Sequence, residues 1–420
     1  MRDQDRAVLE EMFNAAVAAA EPGAAMAKLL PERPKGRVIV IGAGKGSAQM
    51  AAALEALWQG PLEGVVVTRY GFGAECRKIR ILEASHPVPD AAGEAASAAL
   101  LQAVDGLSAD DLVIALVSGG GSALLAAPVA GLTLADEIAM NEALLASGAP
   151  IGAMNAIRKM VSRVKGGRLA AAAAPARVVS FVVSDVPGDD PAQVASGPTV
   201  PGASGRDEAL AAIRDYGIQL PDAVEKAVQN AEASPSPDDA VFDVNEVHVI
   251  ASASKSLEAA AEVALAAGYT PRILSDAIEG EARDVARMHA AIAREIRQKG
   301  RPFSAPVALL SGGETTVTLR GKGGRGGRNS EFLLSLALGL EGLDGIAAMA
   351  ADTDGIDGSE DNAGAFADGK TAQRMRAAGV DPAEALARND AWGAFDAVAD
   401  LFAPGPTGTN VNDLRVILIR

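Results

Sequence analysis

The chain has 420 residues, more than one hydrophobic core usually holds, so two domains are expected. Hydrophobic residues at 49% and charged residues at 22% describe a soluble globular protein, and with aromatics at only 3% its core has to be built from Ala, Val, Leu and Ile. The net charge of −16 argues against a nucleic-acid partner, because phosphate backbones are bound through basic surfaces, and the single cysteine, Cys76, excludes an internal disulfide framework and fits a reducing cytoplasm.

In chain order, the start MRDQDRAVLEEMF is charged and amphipathic and does not read as a signal peptide. The β-branched run from Val38 to Ile41 predicts a buried parallel strand, with a helix from Ser47 onward. Gly42, Gly44 and Gly46 therefore fall at a strand-to-helix turn, GAGKGS, where the backbone N–H groups of a helix start favour an anion. Neither familiar nucleotide signature fits this turn. A dinucleotide fingerprint needs G-x-G-x-x-G, and a P-loop needs G-K-[ST], whereas Lys45 here precedes Gly46.

Further strands are predicted at 64–69, 79–83, 112–117, 178–184, 247–252, 271–274, 306–310, 346–351 and 415–419. Strands and helices alternate, which predicts α/β layers with largely parallel sheets. So many strands divide between two domains, and the best boundary is the polar, Ser/Pro-rich stretch NAEASPSPDDAVFD at 230–243, giving domains 1–236 and 237–420. The apolar run FLLSLALGL, 332–340, is too short to span a membrane and reads as a buried helix.

Two basic stretches stand out in this acidic chain. One, 155–170, holds Arg158, Lys159, Arg163, Lys165 and Arg168 without an acid; a solvated helix face explains it as well as a ligand does. The other, 319–331, holds Arg320, Lys322, Arg325 and Arg328 among glycines, which suits a loop that approaches a ligand.

In open α/β sheets ligands bind beyond the carboxyl ends of strands. The segments after the predicted strands are GAGKGS (42–47), SGGGSAL (118–124), DVPGDD (185–190), SGGETT (311–316) and DTDGIDGSED (352–361), all glycine-rich and polar. They suggest a cleft between domains lined by amides, hydroxyls, aspartates and a few cations. This inventory suits phosphoryl transfer, which needs cations and amides around the moving charge and carboxylates to hold Mg²⁺ or orient a hydroxyl. Lys45 and Arg328 are the expected cations, and Asp189, Asp190, Asp352, Asp354 and Asp357 the candidate carboxylates, with a solvated acidic turn as the alternative for the last three. An EF-hand is excluded by Ile356 and Ala363 at ligand positions, and the stretch around Ser122 lacks the second glycine of a hydrolase elbow. His86, His248 and His289 are scattered and Cys76 has no cysteine partner, so a zinc site is unsupported. His86, in SHPVPD, suits a structural hydrogen bond as well as a substrate contact.

Taken in order, GAGKGS, SHPVPD (85–90), SGGGSALL (118–125), NAIRKMVSRVKGGRLA (155–170), SDVPGDD (184–190), ASGPT (195–199), SGGET (311–315), GGRNSEF (326–332), DTDGIDG (352–358) and TGTNVNDL (407–414) resemble the type II glycerate kinase family over nearly the whole chain. The resemblance implies a larger Rossmann-like domain followed by a smaller MOFRL domain. It also implies transfer of the ATP γ-phosphoryl to the 2-hydroxyl of D-glycerate with Mg²⁺, in the interdomain cleft. The family's essential lysine falls on Lys45 and its essential arginine on Arg328. Asp189 is the expected acid that takes or orients the acceptor proton. The implied binding set is Gly44, Gly46, Ser47, Ser118, Gly119, Gly120, Gly121, Ser122, Asn155, Arg158, Lys159, Ser311, Gly312, Gly313, Glu314, Asn329 and Asn410, with Asp189, Asp352 and Asp354 as Mg²⁺ candidates. The chain departs from the family pattern at Ser330, where many relatives carry glutamine. Small-molecule substrates, no nucleic acid, no membrane and a cytoplasmic location are expected, and a homodimer is left open. The family also carries the name hydroxypyruvate reductase, so an NAD(P)H-dependent reductase is the second reading. A non-catalytic sensor of sugar acids or nucleotides is the third.

Overall fold

The structure is a computed structural model that describes residues 1–319 and 324–420; Arg320 and Lys322 of the second basic stretch lie outside the described residues. Its chain divides into two units, Pro22–Ile250 and a unit that joins Met1–Glu21 to Ala251–Arg420.

In the Pro22–Ile250 unit the strands are β1 (Val38–Ala43), β2 (Glu63–Arg69), β3 (Ile79–Ala84), β4 (Leu112–Ser118), β5 (Arg177–Val183) and β6 (Glu246–Ala251), each within two residues of expectation. Their order in the sheet is β3-β2-β1-β4-β5-β6, and the pairs from β3 to β5 are parallel. This is the doubly wound order, with its switch point between β1 and β4. β1 and β4 are buried along their whole length because they carry Val, Ile, Leu and Ala on both faces. On one face Ile39, Ile41, Val65, Val113 and Val117 pack with Ala96 and Leu100 of the helix Ala91–Ala103. A second core unites Met140, Leu144, Ile157, Met160, Val224 and Val228 from a group of helices after β4.

The other unit contains β7 (Thr270–Ser275), β8 (Gly280–Glu281), β9 (Val307–Ser311), β10 (Thr315–Thr316), β11 (Ile346–Asp352), β12 (Gly364–Asp368), β13 (Leu401–Phe402) and β14 (Asp413–Ile419). Its main sheet runs β13-β12-β11-β14-β9-β7. Here the expectation of parallel strands is corrected: only β7 and β9 pair in parallel, and the other pairs are antiparallel. A parallel neighbour needs a long crossover, usually a helix, and the acidic loop between β11 and β12 supplies none. Strands β8, β10, β12 and β13 had no signal in the sequence, since GAFAD and the two-residue pieces lack β-branched runs.

Residues of β11 alternate between two cores. Ile346, Ala348 and Ala350 face Phe332, Leu333 and Leu336 of the helix Arg328–Gly339, which is the buried helix expected at FLLSLALGL. Ala347, Met349 and Ala351 face Leu9, Met12, Phe13 and Ala16 of the helix Asp3–Ala19. The amphipathic start of the chain thus covers this second sheet, and the division of the chain differs in this from the expected break after residue 236. The sequence displays the apolar stripe of that helix but carries no mark of which sheet receives it. None of the described helices is long and apolar enough to cross a membrane.

Candidate active site

Two clusters collect most of the expected residues, one in each unit. The first sits at the switch point between β1 and β4. Gly44 has φ of 138°, and a Cβ there would stand 2.1 Å from Ser118 Oγ, so glycine is required where the two loops touch. The backbone amides of this turn are engaged inside the protein: Gly44 N donates to Val67 O at 3.1 Å, Lys45 N to Gly119 O at 2.8 Å, and Gly46 N to Ser118 Oγ at 3.0 Å. The buried Ser47 hydroxyl lies 2.7 Å from Gly44 O and 2.9 Å from Val67 O. The expected anion cradle of Gly44, Gly46 and Ser47 is therefore a rigid joint between β1, β2 and β4. What it holds out is the half-buried side chain of Lys45.

That side chain lies over Gly120, together with a residue that the sequence left undecided. A Cβ at Gly120 would come 3.0 Å from Lys45 Cγ and 3.1 Å from His86 Nε2, and one at Gly119 would stand 1.8 Å from Asp185 Oδ2. Lys45, His86 and Asp185 so converge on Gly119 and Gly120 at the end of β4. Burial pushes the His86 pKa down to about 4, and the charges of Lys45 and Arg69 add to the shift, so its imidazole is neutral at pH 7. Asp185 was missed by the sequence reading although it stands inside SDVPGDD. Its signal was the glycine pair that a carboxylate can approach, and only folding brings the two together.

Beside this cluster a hydrogen-bonded chain locks the ASGPT loop onto the SGGGS loop. Ser122 Oγ is 2.8 Å from Ser196 Oγ, Ser196 Oγ donates to Asn155 Oδ1 at 2.9 Å, and Asn155 Nδ2 donates to Gln193 O at 3.0 Å. Arg158 Nη1 donates to the same Asn155 oxygen at 3.3 Å, and its Nε to Asn141 Oδ1 at 2.9 Å. Burial lowers the Arg158 pKa to about 10, opposed by Glu137. Ala195, Ser196 and Gly197 all have positive φ near 53° to 61°, a strained run of the kind found at functional sites. Gly121 closes the packing, since a Cβ there would meet that of Ala195 at 2.5 Å.

The basic stretch 155–170 is therefore no solvated face. Arg158, Lys159 and Lys165 are buried, and Lys165 Nζ pairs with Glu137 at 2.9 Å. Lys159 is not part of the Asn155 chain; its ammonium lies against Gly202. Asp189, at φ of 54°, is half-buried, while the exposed Asp190 accepts from Ala192 N at 2.9 Å.

The second cluster surrounds Arg328 at the start of its helix. Its guanidinium donates from Nε to Asp413 Oδ1 at 2.8 Å, from Nη1 to Glu314 Oε1 at 2.9 Å and from Nη2 to Asp352 Oδ2 at 2.6 Å. Burial opposes this charge, but Asp413, Asp352 and Glu314 together raise the arginine's pKa, so it is permanently protonated. Asn329 Nδ2 joins the same Asp413 oxygen at 2.7 Å. Asp413 Oδ2 in turn accepts from Arg415, which is 1% exposed and also donates to Gly312 O at 3.0 Å. A half-buried and a buried arginine thus share one carboxylate at the head of β14. Neither Asp413 nor Arg415 was singled out in the sequence, because an Asp-x-Arg in a strand is an ordinary pattern until its neighbours are known.

Several expected ligands prove to be supports. Asp357 accepts from Asn329 N at 2.9 Å and Ser330 N at 2.8 Å, capping the Arg328 helix. Ser330, the departure from the family pattern, has its hydroxyl 3.0 Å from Gly327 N at the same cap. Ser311 is buried, its Oγ 3.0 Å from His289 Nε2, and Gly312 N donates to Ser275 O at 2.8 Å, so neither the hydroxyl nor this amide is open to a ligand. Gly313, at φ of 97°, would meet Ile278 N at 2.2 Å if it carried a Cβ. Glu314 is exposed and reaches back to Arg328. Asn410 accepts from Asn412 N at 3.1 Å in the loop that joins Thr353 through Asn412 O.

Among the described residues no three His, Cys, Asp or Glu side chains converge as a metal cage. Asp352 Oδ2 is occupied by Arg328 and its Oδ1 accepts from Asp354 N at 3.1 Å. Burial, reinforced by Asp413 and Asp354 and opposed by Arg328, holds the Asp352 carboxyl well above the usual range. Asp354 is half-buried, and its Oδ1 accepts from Ile356 N at 2.8 Å. This donor set fits a Mg²⁺ that arrives on nucleotide phosphates and needs only one or two carboxylates from the protein.

The comparisons with known proteins cover the same span. The family described as "Domain of unknown function (DUF4147)" matches residues 8–229, and the MOFRL family matches residues 307–413. A protein of Agrobacterium vitis named "Putative hydroxypyruvate reductase" is 52% identical over 99% of this chain and 94% of its own. The "D-glycerate 2-kinase" of Thermotoga maritima is 40% identical over 97% of each chain. A crystal structure of glycerate kinase from Thermotoga maritima matches with a TM-score of 0.88 at 38% identity, covering 99% of both chains.

Proposed function

The chain belongs to the glycerate kinase family that combines the DUF4147 and MOFRL regions, and from that premise we propose that it transfers the γ-phosphoryl of ATP to the 2-hydroxyl of D-glycerate, giving 2-phosphoglycerate and ADP. The observation that carries this reading is the turn after β1. Its three amides are engaged internally, and it offers a ligand a single cation, Lys45. A dinucleotide enzyme uses those amides to approach the pyrophosphate, so the arrangement speaks against the reductase reading and suits a phosphoryl-transfer lysine.

In the proposed reaction Lys45 and Arg328 are the cations that stabilise charge on the transferring phosphoryl group. Lys45, beside a neutral His86, supplies a mobile point charge. Arg328, its three donor edges aimed by Asp413, Glu314 and Asp352, supplies a fixed planar one. Electrostatic stabilisation by such preset groups is the main contribution a protein makes to phosphoryl transfer. Asp189 orients the acceptor hydroxyl and takes its proton. Asn155 and Arg158 hold the ASGPT and SGGGS loops in register around the substrates. Asp354 is the carboxylate that would hold Mg²⁺, which when bound neutralises charge on the nucleotide phosphates.

The test is a coupled assay of the purified protein with D-glycerate, ATP and Mg²⁺, using enolase to identify the product, beside hydroxypyruvate with NADH or NADPH. ADP release with an enolase-competent product is expected. Nicotinamide oxidation without ADP would overturn the proposal, and binding of both substrates without turnover would favour a sensor.

A further inference from the structure

The Pro22–Ile250 unit holds a cavity of about 350 Å³ that shares no lining residue with the Lys45 cluster. One side is formed by residues 202–208 and the other by residues between 231 and 237. Behind Gly202 lies Lys159, which is 1% exposed and whose ammonium has no hydrogen-bond partner among the described residues. A Cβ on Gly202 would stand 2.9 Å from Lys159 Nζ and 3.8 Å from Ser204 Oγ. The space left by the missing side chain is therefore flanked by two polar atoms, and Ser204 Oγ is likewise buried and without a partner among the described residues.

A buried ammonium without an acceptor carries a large desolvation cost, which a counter-anion offsets. Protein carboxylates do not fill that role here. Asp190 is the acid with the strongest influence on Lys159, yet its oxygens accept from Ala192 N at 2.9 Å and from Gln193 Nε2 at 3.4 Å. Glu208, on the cavity wall, turns back to accept from Gly205 N at 2.8 Å. The remaining features favour negative charge. The first turn of the helix Arg206–Asp215 lines the cavity, bringing the positive end of its dipole. Arg168 reaches the other lining segment, with Nη2 3.4 Å from Ser234 Oγ.

We propose that this cavity is a second anion site, which takes a phosphate group, free or borne on a small metabolite, with Lys159 as its counter-charge and Ser204 as a hydroxyl donor. A tetrahedral group suits it because polar atoms stand on two sides, Ser204 with Lys159 behind Gly202 on one and Ser234 with Arg168 behind it on the other. Glycine at 202 is what leaves room for one of its oxygens beside the ammonium.

The experiment is calorimetric titration of inorganic phosphate, at constant ionic strength, into the K45A variant, which removes the free cation of the first cluster. Saturable binding is expected there, and at least tenfold weaker binding in K45A/K159M and in K45A/G202A. The glycine variant keeps the lysine and only fills the gap, so it tests the site even if the lysine variant folds poorly. Loss of binding in K45A alone, or unchanged binding in K45A/G202A, would overturn the proposal. Tighter binding of glycerol 3-phosphate than of phosphate would assign the site to a phosphorylated metabolite, and equal binding would assign it to free phosphate.

Discussion

Asp413→Asn tests the shared carboxylate on which the Arg328 cluster rests. The side chain is fully buried and accepts from Arg328 and Asn329 on one oxygen and from Arg415 on the other. Asparagine has the same shape but only one oxygen. If that oxygen stays with Arg328, the amide NH₂ faces Arg415, and a charge-assisted bond worth about 1.5–3 kcal/mol becomes a donor opposed to a donor. Removing the negative member of a buried pair also leaves both arginines under-compensated, for a total near 3–5 kcal/mol. Arg328 keeps Asp352 and Glu314 but loses the partner that fixes its Nε edge, and if it has the role proposed above, its displacement lowers kcat by ~10². Urea denaturation followed by circular dichroism reads the first effect and the coupled kinase assay the second. Arg415→Met supplies a cycle, since D413N/R415M should be less destabilised than the sum of the single variants by about 1–3 kcal/mol. Stability within 0.5 kcal/mol of wild type, on the order of an ordinary surface substitution, together with near-normal kcat would refute the shared-carboxylate reasoning.

Three further outcomes are expected. Lys45→Ala should lower kcat by ~10² or more with a smaller effect on KM, measured under saturating ATP and glycerate, and near-normal turnover would remove Lys45 from the chemistry. Gly44→Ala should destabilise by about 2 kcal/mol or more, because the new methyl overlaps Ser118 at a positive φ; an unchanged melting temperature would contradict the close approach of the two loops. His86 has a folded pKa near 4 against an unfolded value near 6.5, so the unfolded chain binds more protons between these values. Stability should therefore be full above pH 6.5 and fall as the pH drops toward 4, a slope that His86→Gln flattens. An NMR titration that found the His86 midpoint above 6 would show the ring to be open to water.

The alternation of strands and helices was legible because each depends on local patterning. β1, β4 and β5 announce themselves as unbroken apolar runs, and the helix Arg328–Gly339 as a run of Leu and Ala. Lys45 and Arg328 also stood out, as cations set among glycines. Their environment did not. The amides around Lys45 read as an anion cradle in sequence, whereas in the fold they are acceptor-bound to Val67, Gly119 and Ser118. Asp352, Asp354 and Asp357 look alike in sequence, yet one pairs with an arginine, one bends a loop and one caps a helix.

By itself the sequence determined the family and most of the strands and helices, because these follow from ordered motifs and from hydrophobic period, while β8, β10, β12 and β13 left no such mark. Only the tertiary structure decided that the first helix covers the second sheet, that this sheet is mostly antiparallel, that His86 and Asp185 join Lys45, and that Asp413 is shared by Arg328 and Arg415. Each of these rests on a contact between segments distant in the chain. A side chain's hydrogen-bond partners and protonation are set by what surrounds it in space, and no local pattern encodes that.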